Sequence, residues 1–221
     1  SDLHVIHGSI AFPTPAVLGH EVSGVIVEMG ADTQHSGLEV GQQVCGAFLM
    51  PCGQCPDCAR GRDDLCAPFF TFNRLKGQLF DGTSRLADLD GNVIAQYSMG
   101  GLAEYCVIPV TAVTPAPESL DPVASSILGC AAMTGYGAVR HGADLQYGET
   151  VAVIGAGGVG SNIIQIAAEL GAAKVIAIDI DDTKLVAAAR LGATDTVNSR
   201  SRNAAEAVLE ITRGRGVDVA F

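Results

Sequence analysis

One segment, TVAVIGAGGVG at residues 150–160, constrains the fold more than any other part of the sequence. An apolar run leads directly into Gly155, Gly157 and Gly160, and a predicted helix follows. The first glycine permits a tight turn, the second lets the backbone approach a ligand closely, and the third lets the helix pack against the strand. This strand–turn–helix pattern predicts a dinucleotide-binding turn, and the alternative is a turn of the same shape that binds no nucleotide.

The residues around this turn favour one kind of dinucleotide. Free N–H groups at Gly158 and Val159, together with the positive end of the helix dipole, suit the phosphates of the ligand. Asp179 ends the next predicted strand, nineteen residues after Gly160, where a carboxylate accepts hydrogen bonds from a ribose. A carboxylate would repel a 2′-phosphate, so NAD is favoured over NADP. Lys184 could reach the same ribose, or it could be a solvated helix residue.

The second half of the chain alternates between strands and helices. Apolar strands are predicted at residues 150–155, 174–179 and 217–221, and helices at residues 159–170, 182–191 and 203–213. Residues 123–141 predict a helix pair broken near Gly129 and Gly135. Strands that are apolar throughout and separated by helices are typical of a parallel, doubly wound α/β sheet.

The first half has a different pattern, with short β-type runs separated by Gly, Pro and Asp. Strands are predicted within residues 21–28, 43–47 and 103–110, so this half is expected to be mostly β. We therefore expect two domains, residues 1–131 and 132–221. A doubly wound nucleotide domain normally has two βαβαβ halves, and only the first is recognisable here. We expect the chain to be a fragment that lacks its N-terminal start and its C-terminal part.

Composition excludes several classes of function. The net charge is −11 and no basic run occurs, so nucleic acid is not an expected partner. The most apolar stretch, residues 150–180, is interrupted by polar residues and is expected to form a buried core rather than a membrane span. No signal peptide opens the chain, and we expect the protein to be cytoplasmic.

Four cysteines lie within fifteen residues, in a C-x2-C-x2-C-x7-C arrangement. Thiolates this close in sequence can surround one ion, and four of them form the closed tetrahedral shell that structural zinc prefers. The alternatives are two disulfides or an iron–sulfur cluster. A closed shell leaves no position for a substrate, so the cluster is expected to be structural. Its ligands would be Cys52, Cys55, Cys58 and Cys66.

Two further residues, His20 in GHEVSGVIVEMG and Cys130 in GCAAMTGYGAV, are uninformative when taken singly. A lone histidine is usually a hydrogen-bonded structural residue, and a lone buried cysteine is usually a small hydrophobe. Cys45 and Cys106, which lie in strand-like runs, are assigned to the core for that reason.

In combination, these motifs resemble the medium-chain, zinc-containing alcohol dehydrogenases over the whole chain. The matching pieces occur in the order of that family: SDLH, GHE-x2-G-x5-G, the four cysteines, DGTSRL, GC-x3-TGYGAV and the GAGGVG turn. The resemblance implies a GroES-like catalytic domain beside a Rossmann domain, with the active site between them. It also implies an oxidoreductase that uses NAD and two zinc ions per intact subunit.

The resemblance also implies roles for individual residues. His20 and Cys130 would be two of the three protein ligands of a catalytic zinc, the third being a cysteine just before Ser1. Glu21 would be the carboxylate that can approach that metal, and Asp2 the carboxylate that orients the imidazole. The remaining assignments are a proton relay through Ser1 and His4, and contacts to the nicotinamide ring from Thr134 and Val159.

The same resemblance suggests an oligomeric state. Residues 67–100 resemble an insertion found in dimeric members, so a homodimer is expected, with a tetramer possible.

The leading hypothesis is reversible hydride transfer between NAD and an alcohol, with an aldehyde or ketone as product. The alternatives are a glutathione-dependent formaldehyde dehydrogenase of the same family and a zinc-stabilised NAD-binding module without catalysis. Phe69–Phe72 could line the substrate channel or simply pack in a loop.

Overall fold

The computed structural model describes all 221 residues, Ser1–Phe221. It divides into two compact units, Ser1–Cys130 and Ala131–Phe221. The first is built mainly from short strands, and the second around a parallel sheet flanked by helices. The predicted fold class is therefore confirmed.

The first unit contains two three-stranded sheets. Its strands are β1 (Ala16–Val17), β2 (Val22–Val25), β3 (Gln43–Gly46), β4 (Leu86–Ala87), β5 (Val93–Gln96) and β6 (Val113–Pro115). One sheet has the order β1-β5-β4, and the other has the antiparallel order β2-β3-β6. The strand predicted within residues 103–110 is wrong. No strand of either sheet pairs with this segment, and Tyr105 is 71% exposed, so the segment has neither the ladder hydrogen bonds nor the burial of a strand.

Helical turns of the first unit are short. They are α1 (Asp2–Ile6), α2 (Pro122–Ser125), the 3-10 turns Cys58–Arg60, Asp63–Leu65 and Val110–Ala112, and the π-helical turn Phe69–Arg74. The start of α2 follows a regular capping rule: Asp121 accepts a hydrogen bond from the N–H of Val123 at 2.9 Å, and proline fills the first helical position. The five residues of α1 are too few to show a helical period, which explains why the sequence did not predict it.

The second unit contains one sheet of four parallel strands in the order β10-β7-β8-β9. Its strands are β7 (Thr150–Ile154), β8 (Lys174–Asp179), β9 (Asp195–Asn198) and β10 (Val219–Ala220). The helices are α3 (Met133–Gly137), α4 (Gly158–Glu169), α5 (Asp182–Arg190) and α6 (Ala204–Ile211). The predictions of β7, β8, α4, α5 and α6 are confirmed within two residues at each end. The edge strand β9, which is polar along much of its length, was missed.

The central strand β7 is buried on both faces, as parallel sheets require. Val151 and Val153 pack with Ile164 of α4 in one apolar cluster. Ala152 faces the other way and packs with Ile176 in a second cluster. The sheet is thus enclosed by helices on two sides, which fixes the loop after β7 in place.

The predicted break at Gly135 is wrong. The helical path runs without interruption through Leu128–Ala132, α3 and Ala138–Gly142, although the first and last of these are π-helical. Gly135 serves packing instead, because a Cβ there would lie 3.0 Å from Cβ of Asn162 in α4. The stretch Pro122–Gly142 has the length and apolar composition of a membrane-crossing helix. One such helix is weak evidence for a membrane, since a core helix passes the same test.

We expect Gly160→Ala to destabilise the second unit, because the new Cβ would overlap the carbonyl oxygen of Gly155. Overpacking of this kind costs about 1–3 kcal/mol. Gly137→Ala is the matched control: it is also helical, its Cβ would meet nothing within 4 Å, and it should be neutral or stabilising by up to about 1 kcal/mol. Urea unfolding of both variants measures the difference, and equal stabilities would contradict this account of the turn.

Candidate functional site

The four clustered cysteines converge on one point. The Sγ atoms of Cys52, Cys55, Cys58 and Cys66 all lie within 4.8 Å of one another. All cysteines of the chain are free, and the 3.5 Å between Sγ of Cys55 and Sγ of Cys58 is far beyond a disulfide bond length. The disulfide alternative is therefore wrong, and the donor set fits one tetrahedral zinc ion.

The backbone around these cysteines is shaped to hold them together. The N–H of Cys52 donates to Sγ of Cys66 at 3.2 Å, and the N–H of Cys55 donates to Sγ of Cys52 at 3.3 Å. Gly61 ends the turn that carries Cys58 in a left-handed conformation, with φ of 73°, which glycine adopts without strain. Cys66 is fully buried and packs with Phe69 and other apolar side chains, so the cluster is anchored to the core of the first unit.

The thiols of this cluster differ in acidity. Hydrogen bonding from the N–H of Cys58 lowers the pKa of Cys55 to about 7. Burial raises the pKa of Cys58 and that of Cys66. Without a cation, the four thiols would therefore not all ionise near neutral pH. A divalent ion supplies the charge that allows four thiolates to coexist.

The second predicted metal group is built around His20, which is only 8% exposed. Oδ1 of Asp2 accepts a hydrogen bond from the N–H of Gly19 at 3.1 Å. Oδ2 of Asp2 lies 2.9 Å from Nδ1 of His20, although the two atoms do not form a regular hydrogen bond. Asp2 therefore faces one ring nitrogen and leaves the other, Nε2, available to a metal.

Two aromatic rings hold the imidazole from the side. The ring of Phe48 lies 5.3 Å from that of His20, and the ring of Tyr97 lies 5.7 Å away, both edge to face. Contacts of this kind favour one ring orientation. Neither aromatic residue is predictable from the sequence, since neither belongs to a ligand motif and their approach to His20 depends on packing over long sequence distances.

Cys130 is fixed through its neighbour Gly129. The N–H of Phe48 donates to the carbonyl of Gly129 at 2.9 Å, and a Cβ on Gly129 would overlap the carbonyl oxygen of Gly46. Only glycine permits this approach. Phe48 thus contacts the His20 ring with its side chain and positions the residue before Cys130 with its main chain.

The electrostatic environment of Cys130 links it to the other predicted residues. Burial raises the pKa of its thiol most, and the charges of Glu21 and Asp2 raise that pKa further. Ser1 caps α1, and His4 lies exposed in the same short helix. The first unit thus brings Asp2, Glu21 and Cys130 into one electrostatic neighbourhood, in which an added cation would favour the thiolate.

The predicted nucleotide turn has the geometry that each glycine was expected to provide. Gly155 has φ of +95° and its N–H donates to the carbonyl of Ile178 at 2.7 Å. Gly157 precedes α4, and a Cβ on it would meet nothing within 4 Å, so its backbone is open to a ligand. Gly160 allows the helix to approach the turn. The first helical N–H bond back to Gly157 comes from Ser161, which leaves the preceding N–H groups free.

Asp179 ties β8 to this turn. Oδ2 accepts a hydrogen bond from the N–H of Ala156 at 2.7 Å, and Oδ1 accepts from Ile180 at 2.7 Å and Asp181 at 3.0 Å. These donors, led by Ala156, lower the pKa of the carboxyl group, and the charge of Lys184 contributes. The carboxylate is 7% exposed and is held in its charged form.

The predicted cofactor residues of the second unit largely share one groove. Its lining includes the turn glycines and a few side chains around them: Gly155, Gly157, Gly158, Val159, Gly160, Asp179 and Lys184. Val159 is 39% exposed at the start of α4. Thr134 lies exposed on α3 and is not part of the groove lining.

Two family descriptions match the chain. The alcohol dehydrogenase GroES-like domain matches residues 1–118, and the zinc-binding dehydrogenase family matches residues 158–221. S-(hydroxymethyl)glutathione dehydrogenase of Saccharomyces cerevisiae is 35% identical over 213 residues, which cover 94% of this chain and 54% of that protein. The chain therefore spans about half the length of this relative.

Solved structures of alcohol dehydrogenases also resemble this chain. An alcohol dehydrogenase zinc-binding domain protein from Burkholderia ambifaria matches with a TM-score of 0.89 and 34% identity, over 99% of this chain and 58% of that chain. Benzyl alcohol dehydrogenase from Acinetobacter calcoaceticus matches with a TM-score of 0.84 and 31% identity, again over 99% of this chain and 58% of the other.

We expect Cys55→Ser to lower the zinc content by one ion per chain and to lower the melting temperature, because a three-thiolate site holds zinc less firmly. Cys106→Ser, outside the cluster, is the matched control and should keep its zinc. Metal analysis and thermal unfolding with and without a chelator make the comparison. Iron in place of zinc, or equal metal content in both variants, would contradict the assignment.

We expect Asp179→Asn to weaken NAD binding and to destabilise the turn in a pH-dependent way. The folded-state pKa of Asp179 is lowered, so its contribution to the free energy of unfolding is complete above the unfolded-state value of about 4. That contribution is lost as the pH falls through the folded-state pKa. The stability difference between wild type and Asp179→Asn should therefore shrink below about pH 4 in urea titrations.

Asp32→Asn, in an exposed loop, is the matched control for this titration. It should show little difference from wild type at any pH. A stability difference for Asp179→Asn that stays constant on acidification would show that the carboxylate charge is not what holds the turn.

Proposed function

This chain belongs to the zinc-containing medium-chain alcohol dehydrogenase family, and from that premise we propose NAD-dependent, reversible oxidation of an alcohol to an aldehyde or ketone. The observation that carries the proposal is the arrangement of Asp2 and His20. A buried imidazole with one nitrogen against a carboxylate is typical of a histidine that ligates a metal. A merely structural histidine would not need Cys130 and two carboxylates in the same neighbourhood.

His20 and Cys130 would hold a catalytic zinc, with Glu21 able to approach it. Bound zinc supplies a Lewis acid that makes an alcohol hydroxyl more acidic. The residues of the chain do the remaining work. Asp2 keeps the His20 ring in one orientation, and the rings of Phe48 and Tyr97 exclude water from one side of it. The open, three-ligand character of such a site contrasts with the closed four-cysteine cluster, so two zinc ions per intact subunit are proposed.

Proton removal is assigned to Ser1 and His4. Oγ of Ser1 would accept the proton of the substrate hydroxyl, and the imidazole of His4 would release it to solvent. The exposure of His4 supports the second step, since it lies on the same short helix as Ser1 and is open to water. Bound NAD would supply the acceptor for the hydride of the carbinol C–H bond.

The nucleotide site is assigned to the turn and to Asp179. The N–H groups of Gly158 and Val159 would bind the pyrophosphate, and Asp179 with Lys184 would bind the adenosine ribose. Val159 and Thr134 would contact the nicotinamide ring. NAD is typical of the family, and the charged state of Asp179 supports a ribose without a 2′-phosphate.

A second reaction in the same class is favoured by one comparison. The yeast relative is named for S-(hydroxymethyl)glutathione, a thiol adduct of formaldehyde, so this chain could oxidise an alcohol of that kind.

A zinc-stabilised nucleotide-binding module without catalysis is the remaining alternative. Two zinc ions per subunit support the enzyme, and one supports the module. A cytoplasmic homodimer, with a tetramer as the other assembly, completes the proposal.

We expect the intact protein to form NADH from a panel of primary and secondary alcohols and to lose that activity with a chelator. Asp2→Asn should lower zinc affinity or kcat/KM about 10- to 100-fold, because the ligand His20 loses its orienting charge. Asp90→Asn, in an exposed loop, is the control and should behave like wild type. Full turnover by Asp2→Asn, or turnover that resists zinc removal, would overturn the proposal.

A further inference from the structure

The first turn of α4 carries two polar side chains that bond back to the main chain of the same helix. Oγ of Ser161 donates to the carbonyl oxygen of Gly157 at 2.8 Å, with that of Gly158 as a longer acceptor at 3.1 Å. Nδ2 of Asn162 donates to the carbonyl oxygen of Gly158 at 2.8 Å. The carbonyl of Gly157 also accepts the N–H of Ser161 at 2.8 Å, so both of its lone pairs are occupied.

Helix formation does not explain the choice of these two side chains. Serine and asparagine are less favourable than alanine inside a helix, because they compete for main-chain groups, and back-bonding of this kind slightly destabilises a helix. Both side chains are only half-buried, whereas the apolar core that α4 contributes is formed by Ile163, Ile164 and Ala167. The stability of α4 is therefore not what these hydrogen bonds improve.

Each of the two carbonyl groups belongs to a peptide unit whose N–H group lies at the start of α4. The peptide bond is planar, and the bonds after Gly157 and Gly158 are trans, so holding a carbonyl oxygen fixes the direction of the N–H group in the same unit. The carbonyl of Gly157 shares its unit with the N–H of Gly158. The carbonyl of Gly158 shares its unit with the N–H of Val159. These are the two N–H groups assigned to the pyrophosphate.

A hydrogen bond to the carbonyl also makes the N–H group a stronger donor. The accepted bond draws electron density towards the oxygen and leaves the N–H hydrogen more positive, a cooperative effect of about 10–30% per bond. The groove lined by Gly157, Gly158 and Val159 has a volume of about 490 Å³, which leaves room for phosphates beside these donors. Ser161 and Asn162 are not part of its lining, so their influence on a ligand passes through the main chain.

The neighbouring helix α3 confines Asn162 from its other side. A Cβ on Gly135 would lie 3.0 Å from Cβ of Asn162 and 3.2 Å from the main-chain nitrogen of Ile163, so the main chain of α3 packs closely against this position. A side chain in a confined position has few conformations left to lose. The hydrogen bond from Asn162 to Gly158 therefore costs little entropy.

We propose that Ser161 and Asn162 are positioning residues for the dinucleotide. By holding the carbonyl groups of Gly157 and Gly158, they aim and polarise the two N–H groups that bind the pyrophosphate. The inference rests on the proposed function, because it concerns the same nucleotide site. It adds to that site two side chains that do not themselves contact the ligand.

The test removes the two side-chain donors and measures the affinity for ADP-ribose, which carries the pyrophosphate but no nicotinamide. In calorimetry with the intact protein, Ser161→Ala and Asn162→Ala should each weaken binding roughly 2- to 5-fold, and the double variant about 5- to 20-fold. The affinity for adenosine, which has no phosphate, should change by less than about twofold. Ser161→Thr and Asn162→Ser keep a hydroxyl that can bond to the same carbonyls, and they should retain most of the affinity.

Thermal unfolding distinguishes positioning from a structural role. Because alanine is the better helix former, the two alanine variants should unfold at the temperature of wild type or above it, although they bind ADP-ribose less tightly. Gln165→Ala is the matched control. Nε2 of Gln165 donates to the carbonyl of Ser161 at 3.2 Å, whose peptide unit lies within the helix rather than at its start, so the affinity for ADP-ribose should be unchanged.

Steady-state kinetics give a further readout. The double variant should raise the KM for NAD and leave kcat within about twofold of wild type, because the interaction concerns cofactor binding and not the reacting carbon. Wild-type affinity for ADP-ribose in the double variant would overturn the inference. An affinity loss that is equal for ADP-ribose and adenosine, or one that accompanies a lower unfolding temperature, would overturn it as well.

The same measurements separate this inference from the proposed function. If no alcohol is oxidised but the double variant binds ADP-ribose less tightly than wild type, the proposed function fails and the inference stands. If alcohols are oxidised but ADP-ribose binds both proteins equally, the proposed function stands and the inference fails. A wild-type protein that does not bind ADP-ribose would overturn both.

Discussion

The carboxylate of Asp2 joins two segments that are seventeen residues apart, and the proposed metal site at His20 depends on that junction. One oxygen holds the N–H of Gly19, and the other lies against His20. Gly19 itself has φ of +103° and its carbonyl accepts the N–H of Gly101 at 2.9 Å. A side chain on Gly19 would clash with Leu102. The position of the imidazole is therefore set by backbone contacts that only glycine allows and by one partly buried carboxylate.

Phe48 extends this constraint to the rest of the site. Its main chain holds Gly129 next to Cys130, and its ring contacts both His20 and the guanidinium of Arg74. It also packs edge to face on Phe69, which belongs to the buried cluster around Cys66. The structural cysteine cluster and the predicted catalytic ligands thus share one apolar support. A change in the packing around Phe69 would therefore shift His20, because only the ring of Phe48 lies between them.

The parts of the molecule that the sequence predicted well are those in which neighbours along the chain determine the structure. The nucleotide turn, β8 and α4 are local patterns of glycine spacing and apolar runs, and the four cysteines lie within one short lobe. Residues 103–110 have the same apolar character as a strand, but a strand forms only where another strand pairs with it, and neither sheet of the first unit pairs with this segment. Likewise β9 is recognisable only beside β8. The sequence shows the type and spacing of residues along one segment, whereas the pairing of strands depends on segments that are distant in sequence.

The candidate site divides in the same way. His20 and Cys130 could be picked out because their motifs occur in a known order, but their supports, Phe48 and Tyr97, carry no motif.

The carboxylate of Asp179 has more hydrogen-bond acceptor positions than the protein itself occupies. A carboxylate offers about four lone-pair positions, and the N–H groups of Ala156, Ile180 and Asp181 occupy three of them. One position therefore remains, which suits a single ribose hydroxyl donor. A 2′-phosphate has no hydrogen to donate when it is fully ionised, and it would meet a carboxylate that its donors keep charged. The proposed preference for NAD thus rests on the same three hydrogen bonds that close the turn, because a group that is held ionised for stability is also held ionised against a second anion.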